Sequence, residues 1–284
     1  MNRILIILSA LFLLVSCQKD ERIETSEQSV LTYTVSAPFE FEIKSSTNGQ
    51  GSQINALWYG VYHKKVNENG AEYYDYIEEM GAYVPVDNAS REISVPITLF
   101  KDQEYKIIFV AQHVKAVPSV DGNVSNRYTY IVNESGHMSL NPDAVITDGE
   151  QLDGEQLDAF VYWEATGIIK NSYKKKIELT RPLAQINVSS SVSELPTSID
   201  LAVAGTAASY NIFDGQYAGP TSESISFNGL VCNEENLAAI YVLPAGNSVT
   251  LDMTMHYPGG TTKTKQVENI PVAPNYRTNV TGNI

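Results

Sequence analysis

The sequence predicts an all-β protein built as two tandem antiparallel β-sandwich domains with few short helices, and three observations carry that expectation. Apolar residues recur at every second position in a series of short runs, the period of a strand with one buried face. Gly, Pro, Asn and Asp separate those runs, as tight turns require. A helical pattern is confined to two short stretches, residues 149–159 and 233–239.

The first strand is expected over residues 31–36, where Leu31, Tyr33 and Val35 alternate with Thr32, Thr34 and Ser36. Three side chains would enter the core while the backbone pairs along the sheet edge. Beyond Pro38, the residues Phe39, Phe41 and Ile43 alternate with Glu40, Glu42 and Lys44 as a second strand. Runs at 57–63, 93–99, 105–112 and 128–132 complete a first domain over residues 29–175. The basic cluster Lys174, Lys175 and Lys176 marks the expected boundary, and renewed strand patterning opens a second domain over residues 176–284. Its strands are expected at 176–180, 184–188, 199–203, 225–227, 239–243 and 249–257. The last turns through Pro258-Gly259-Gly260 into 261–267, the clearest hairpin in the chain. No repeat of about 20 to 50 residues is visible, which argues against solenoids and propellers.

Composition narrows the function classes. Of 284 residues, 19 are Lys or Arg and 33 are Asp or Glu, giving a net charge of -14 and a pI near 4.7. Such a surface repels phosphate backbones, so nucleic acid is not an expected partner. Two Cys and four His leave little stock for a metal cluster and none for a disulfide framework.

The amino terminus speaks to the compartment. Asn2 and Arg3 form a short basic region, and residues 4–15 are almost wholly apolar. That run is shorter than the roughly 20 residues of a spanning helix, so it reads as a cleaved signal peptide over residues 1–16. It ends in Leu14-Val15-Ser16-Cys17, which resembles the lipobox of bacterial lipoproteins and makes Cys17 the lipidation site. Several acyl chains on one terminus exceed the marginal hold of a single chain, so stable anchoring to the outer membrane is expected. Residues 17–28 form an acidic tether. Within it, Lys19, Asp20 and Glu21 look like the export signal that carries some lipoproteins to the cell surface.

Catalytic patterns are missing: there is no HExxH, GxSxG, Walker loop or paired CxxC. His63, His113, His137 and His256 are far apart in sequence, and Cys232 reads as a small apolar residue rather than a nucleophile. No cofactor, catalytic residue or metal ligand is therefore expected, and the chain is read as a non-enzyme. Asp148, Glu150, Asp153, Glu155 and Asp158 concentrate carboxylates, but without the spacing of an EF-hand they read as a hydrated loop rather than a calcium site. Trp58, Tyr59, Tyr62, Tyr73, Tyr74 and Tyr76 could form a sugar-binding patch, although their alternation favours cross-strand packing.

Five segments together carry a family resemblance: the lipobox, residues 105–112 (YKIIFVAQ), 157–160 (LDAF), 179–188 (LTRPLAQINV) and 270–283 (IPVAPNYRTNVTGN). The chain resembles the fimbrillin-like lipoproteins of type V pili over nearly its whole length. That resemblance implies two transthyretin-like sandwiches, the second opening at Arg181-Pro182 and closing with a strand over residues 276–280. It also implies assembly by strand exchange, in which a neighbour's strand fills the groove left by a removed first strand, so Leu31, Tyr33 and Val35 mark the exchangeable strand. Physically this is β-augmentation: backbone bonds give affinity and alternating side chains fill pockets.

The chain departs from the family pattern in two respects. Ile284 follows directly on the last expected strand, leaving no tail to donate, so a stalk subunit is not expected. No arginine lies between the first two strands; the nearest are Arg22 and Arg91. The expected role is thus a terminal or accessory pilus component, tip or anchor, contributing to adhesion and joined to other subunits by strand addition. The alternative is a stand-alone surface lipoprotein that binds a glycan or a host protein.

Overall fold

Residues 27–36, 54–86, 92–113, 130–132, 137–140, 158–192, 194–220, 222–232 and 237–282 are described by a computed structural model of the chain. Among them the regular structure is strand, apart from one 3-10 turn at Glu78–Met80. In chain order the strands are β1 Gln28–Ser36, β2 Ala56–Val66, β3 Glu72–Tyr76, β4 Ala82–Pro85, β5 Glu92–Phe100, β6 Glu104–Gln112, β7 Tyr130–Val132, β8 His137–Leu140, β9 Ala159–Ile168 and β10 Tyr173–Glu178. There follow β11 Ala184–Ser190, β12 Ser198–Ala204, β13 Ser209–Asn211, β14 Gln216–Tyr217, β15 Ile225–Val231, β16 Ala238–Val242, β17 Ser248–His256, β18 Thr262–Pro271 and β19 Arg277–Gly282.

Two sandwiches with one topology emerge. In the first, a sheet in the order β10-β1-β5 faces one in the order β3-β2-β6-β9, with β4 covering the first half of β2. In the second, β19-β11-β16 faces β15-β12-β17-β18. Each opens with a strand that becomes the middle of a three-stranded sheet. That strand pairs antiparallel on one side and parallel, on the other, with the last strand of its own sandwich: β1 with β10, and β11 with β19. The duplication spans about half the chain, well beyond the short repeats sought in the sequence.

β1 is therefore not an edge strand, as the sequence had suggested. Alternation reports only which face is buried, not how many neighbours share the backbone. The two parallel pairs were equally unreadable, because their partners lie a whole sandwich apart in sequence.

The boundary expected at residues 175/176 falls inside β10, which pairs with β1. Sheet membership changes instead between Glu178 and Ala184. Lys174, Lys175 and Lys176 belong to this strand of the first sandwich. Ala159, expected at the end of a helix, opens β9, and Ala238 and Ala239, also expected as helix, lie in β16. Aromatic and β-branched residues in the run FVYWEAT favour an extended chain and win at β9. The Pro258-Gly259-Gly260 hairpin is as expected, with both glycines at positive φ (84° and 82°) that a side chain would strain.

The core of the first sandwich gathers Leu31, Tyr33, Val35, Val95, Ile107, Phe109, Phe160 and Ile177. The β6 run is buried on both faces. Its odd-numbered residues face this core, while Ile108 and Val110, with Tyr62, Ala159 and Val161, join a second core containing Ile186, Leu201, Phe227, Ile240 and Met253. A continuous apolar run in place of alternation is the sequence mark of such a twice-covered strand. The sandwiches also share a small sheet, β14-β13-β8-β7, in which β8 of the first pairs with β13 of the second.

Candidate functional site: the β1 slot and the buried polar node

Cys17, Lys19, Asp20, Glu21 and Arg22 lie outside the described residues, as do residues 39–44, Arg91, the acidic run 148–157, and 233–236. The exchangeable-strand residues are described. Leu31 and Tyr33 are fully buried and Val35 nearly so, while Thr32, Thr34 and Ser36 on the other face are half-buried. β1 keeps six residues in register with β10, from Leu31 opposite Tyr173 to Ser36 opposite Glu178, and nine with β5. It fills a slot whose two walls are strands and whose floor is the opposite sheet.

That floor carries polar residues the sequence reading missed. The Tyr33 hydroxyl crosses the core and donates to Glu164 Oε1 at 2.5 Å, while lying 3.0 Å from the Tyr173 hydroxyl. Glu164 also accepts from Tyr162 (2.9 Å) and Tyr173 (3.3 Å) and is ion-paired with Lys175. Burial alone would raise the Glu164 carboxyl, but hydrogen bonds from Lys175, Tyr33 and Tyr162 outweigh it and hold it below its ordinary value. Burial and the Glu164 hydrogen bond push the Tyr33 hydroxyl well up, so it stays a donor. Aromatic packing frames the group, with Tyr33 5.2 Å from Phe109 and 6.2 Å from Tyr173 between ring centroids. The available signal was strand alternation over residues 159–168, where Phe160, Tyr162 and Glu164 share the inner face; a carboxylate on that face implies a donor opposite.

A second polar group joins the sandwiches. Arg181, on the segment between β10 and β11, donates through Nε and Nη2 to both carboxylate oxygens of Asp158, each at 2.8 Å, with both side chains fully buried. Its Nη1 reaches Asn275 Oδ1 at 2.7 Å, and the guanidinium lies 4.4 Å from the centre of the Phe160 ring. Asn275 adopts positive φ (56°), a conformation asparagine tolerates better than most residues, and its amide donates to the Leu183 carbonyl at 2.8 Å. On the parallel pair β11 and β19, Arg277 Nε donates to Gln185 Oε1 at 2.6 Å and Asn187 Nδ2 donates to Asn279 at 3.2 Å. Residues 158–160, 179–188 and 270–282, drawn from segments well separated in sequence, thus meet in one hydrogen-bonded node. Desolvation raises the Asp158 carboxyl while the Arg181 charge opposes the rise. Asp158 is committed to this ion pair, which removes it from any calcium-binding set.

The remaining candidates read as structure. Tyr62 on β2 and its cross-strand neighbour Tyr76 on β3 have rings 5.1 Å apart, Trp58 packs near Tyr76, and Tyr62 also meets Phe213 of the second sandwich edge-on at 4.7 Å. Tyr59 turns to the first core against Phe109, and Tyr73 is exposed. Lys106 projects from β6 among Tyr74, Trp163 and Phe213, each at 4.6 to 4.7 Å, and donates to the Phe213 carbonyl. His63 bonds Gln103, and His256 bonds Asp200. Burial pushes the Cys232 thiol up to about 11, which suits an inert thiol rather than a nucleophile. Among the described residues no group of three His, Cys, Asp or Glu could hold a metal, and no helix is long and apolar enough to cross a membrane.

A family model described as a family of unknown function, DUF6562, matches residues 25–284. No protein with a curated description matches. Among solved structures, the chain is similar to one provisionally assigned as an adhesin from Bacteroides ovatus, at 12% identity over 93% of each chain with a TM-score of 0.47. It is similar to the tip fimbrial protein Mfa3 from Porphyromonas gingivalis at 11% identity, covering 85% of this chain and 82% of that one, TM-score 0.43. It is similar also to the fimbrial anchor protein Mfa2 from Porphyromonas gingivalis at 15% identity, covering 84% and 82%, TM-score 0.40.

Proposed function

Because the chain belongs to the DUF6562 family, to which no function is assigned, its own residues carry the reading, and we propose that it is a surface-displayed fimbrillin-like lipoprotein, lipid-anchored at Cys17 in the outer membrane. Its place is a terminal or accessory position of a type V pilus, tip or anchor, and its role there is structural and adhesive rather than enzymatic.

The observation that supports this best is the seating of β1. The first described strand of the chain is the middle strand of its sheet, with Leu31, Tyr33 and Val35 buried to 0%, 0% and 2% exposure. Occupying such a slot by backbone pairing and alternating pockets is what strand addition between subunits requires. The convergence of the resemblance segments on the Asp158–Arg181–Asn275 node adds support, since residues far apart in sequence share one structural task. Lys19, Asp20 and Glu21 provide the route to the cell surface in this proposal, and two sandwiches that meet near Arg181 provide the body.

Two measurements test it. Cys17→Ala should move the protein from the detergent-extracted membrane to the soluble fraction; retention in the membrane would refute the anchor. Shafts sheared from the producing cell should carry the protein with them. Recovery free of shaft subunits, together with glycan or host-protein binding by the soluble form, would favour a stand-alone lipoprotein.

A further inference from the structure

From the geometry of the β1 slot we infer that Tyr33 and Glu164 form a polar key that fixes the register of the occupant strand, so that the slot selects a strand with a tyrosine at its middle inward position. This rests on the proposed strand-addition reading and names the chemistry of the partner strand.

Consider what the slot would accept without the key. Inward side chains alternate, so a slip of one residue turns Leu31, Tyr33 and Val35 outward and is strongly disfavoured. A slip of two keeps the same face inward: around the centre it trades one large side chain for another, and in one direction it brings the small Ser29 into the Leu31 pocket. At the centre, backbone bonds and greasy pockets are nearly blind to that second slip. Glu164 is not, because its carboxylate sits deep in the sandwich with its side chain about 10% exposed and accepts from Tyr33 at 2.5 Å. A two-residue slip places Leu31 or Val35 opposite Glu164 and removes a donor from a buried charge, which is costly. Tyr173, on the strand next to β1, tightens the discrimination by holding its hydroxyl 3.0 Å from that of Tyr33.

The second sandwich supplies the contrast. Its middle strand β11 occupies the equivalent place with Ala184, Ile186 and Val188 facing inward, and has no polar residue among them. Chain continuity sets the register of β11, with Arg181 pinned to Asp158 three residues before it. The pair beside β1, Glu27 with Lys101, lies at the surface with the Glu27 side chain 76% exposed and holds far less firmly than the buried Arg181–Asp158 pair, and β1 is the strand whose inner face carries the tyrosine.

The test uses the full chain, comparing the parent with Tyr33→Phe, Glu164→Gln and the double variant by amide hydrogen exchange at residues 31–35. Loss of a hydroxyl that donates to a charged acceptor should speed exchange by about 10- to 100-fold in Tyr33→Phe. In the Glu164→Gln background the same change should have less than about a threefold effect, because the neutral amide gains little from the hydroxyl. Exchange of Tyr33→Phe within about twofold of the parent, or an effect equally large in both backgrounds, overturns the key. Should Glu164→Gln fold poorly, Glu164→Met combined with Lys175→Met serves as the second background, since it removes the carboxylate and leaves no lysine without its ion-pair partner. The cycle reads the coupling whether β1 opens alone or only with global unfolding. Opening only with global unfolding would count against strand replacement, while a vanishing coupling would count against the key.

Discussion

Replacing Asp158 with asparagine tests how far the two sandwiches depend on one ion pair. The Arg181 guanidinium and the Asp158 carboxylate are both at 0% side-chain exposure and share two hydrogen bonds of 2.8 Å. Neutralising the acid takes the charged partner from a buried guanidinium that keeps Asn275 Oδ1 and the Phe160 ring. Breaking one side of such a pair costs about 3 to 5 kcal/mol, a large share of the roughly 5 to 15 kcal/mol that holds a native protein together. With a urea slope near about 3 kcal/mol/M, the unfolding midpoint should fall by about 1 to 1.7 M. Asp158→Leu combined with Arg181→Met removes both charges and should cost clearly less than either single change, because no uncompensated charge remains. Equilibrium urea denaturation of the lipid-free chain reads the parent, Asp158→Asn, the singles Asp158→Leu and Arg181→Met, and the double variant. A shift below about 0.3 M for Asp158→Asn, or a double variant as unstable as the sum of the singles, would refute the reasoning.

Three further outcomes follow from the same geometry. A chain of residues 181–284 alone loses Asp158 and the covering side chains Tyr62, Ile108, Val110 and Val161, so it should unfold at lower urea than the intact protein and bind hydrophobic dye; a fragment as stable as the whole would show that the shared core contributes nothing. Glu164 sits below its ordinary value of 4.5, so the stability it contributes is present above that pH and lost as the pH falls through the lower native value. Glu164→Gln should flatten this part of the acid limb, and an unchanged limb would contradict the assignment. The Ser29 hydroxyl is buried without a hydrogen-bond partner among the described residues, so Ser29→Ala should be neutral or stabilising by up to about 1 kcal/mol in thermal melts, whereas a clear loss would mean the hydroxyl is satisfied.

Much of the fold was legible because strand period and turn chemistry are local. β1, β11, β12, β17 and the Pro258-Gly259-Gly260 hairpin lie where alternation and glycines place them, and β6 lies where a continuous apolar run does. Pairing is not local, and this is where the sequence ran out. Nothing in Leu31, Tyr33 and Val35 says that β10 lies beside them, and the three consecutive lysines of β10 read as a domain boundary because all three are exposed even though their strand is paired with β1. The candidate site was half legible for the same reason. The apolar contribution of β1 follows from its alternation, but Glu164 becomes meaningful only once β9 is recognised as a strand facing β1 across the core. Arg181 stood out in a motif, yet its partner Asp158 belonged by sequence to an acidic run that looked solvated.

The account turns on whether β1 occupies a slot that another strand can fill. A protease site introduced between residues 44 and 52 would separate β1 from the body without touching the described strands. The cut protein, given an excess of isotope-labelled peptide spanning residues 27–37, should take up label in proportion to peptide and time, release its own segment, and keep the melting temperature of the uncut chain. Burial of Leu31, Tyr33 and Val35, worth on the order of 4.5 to 9 kcal/mol together, makes the filled slot strongly preferred over the empty one. A cut protein that keeps its own strand indefinitely, or that loses it and melts as before without taking up peptide, would contradict the account.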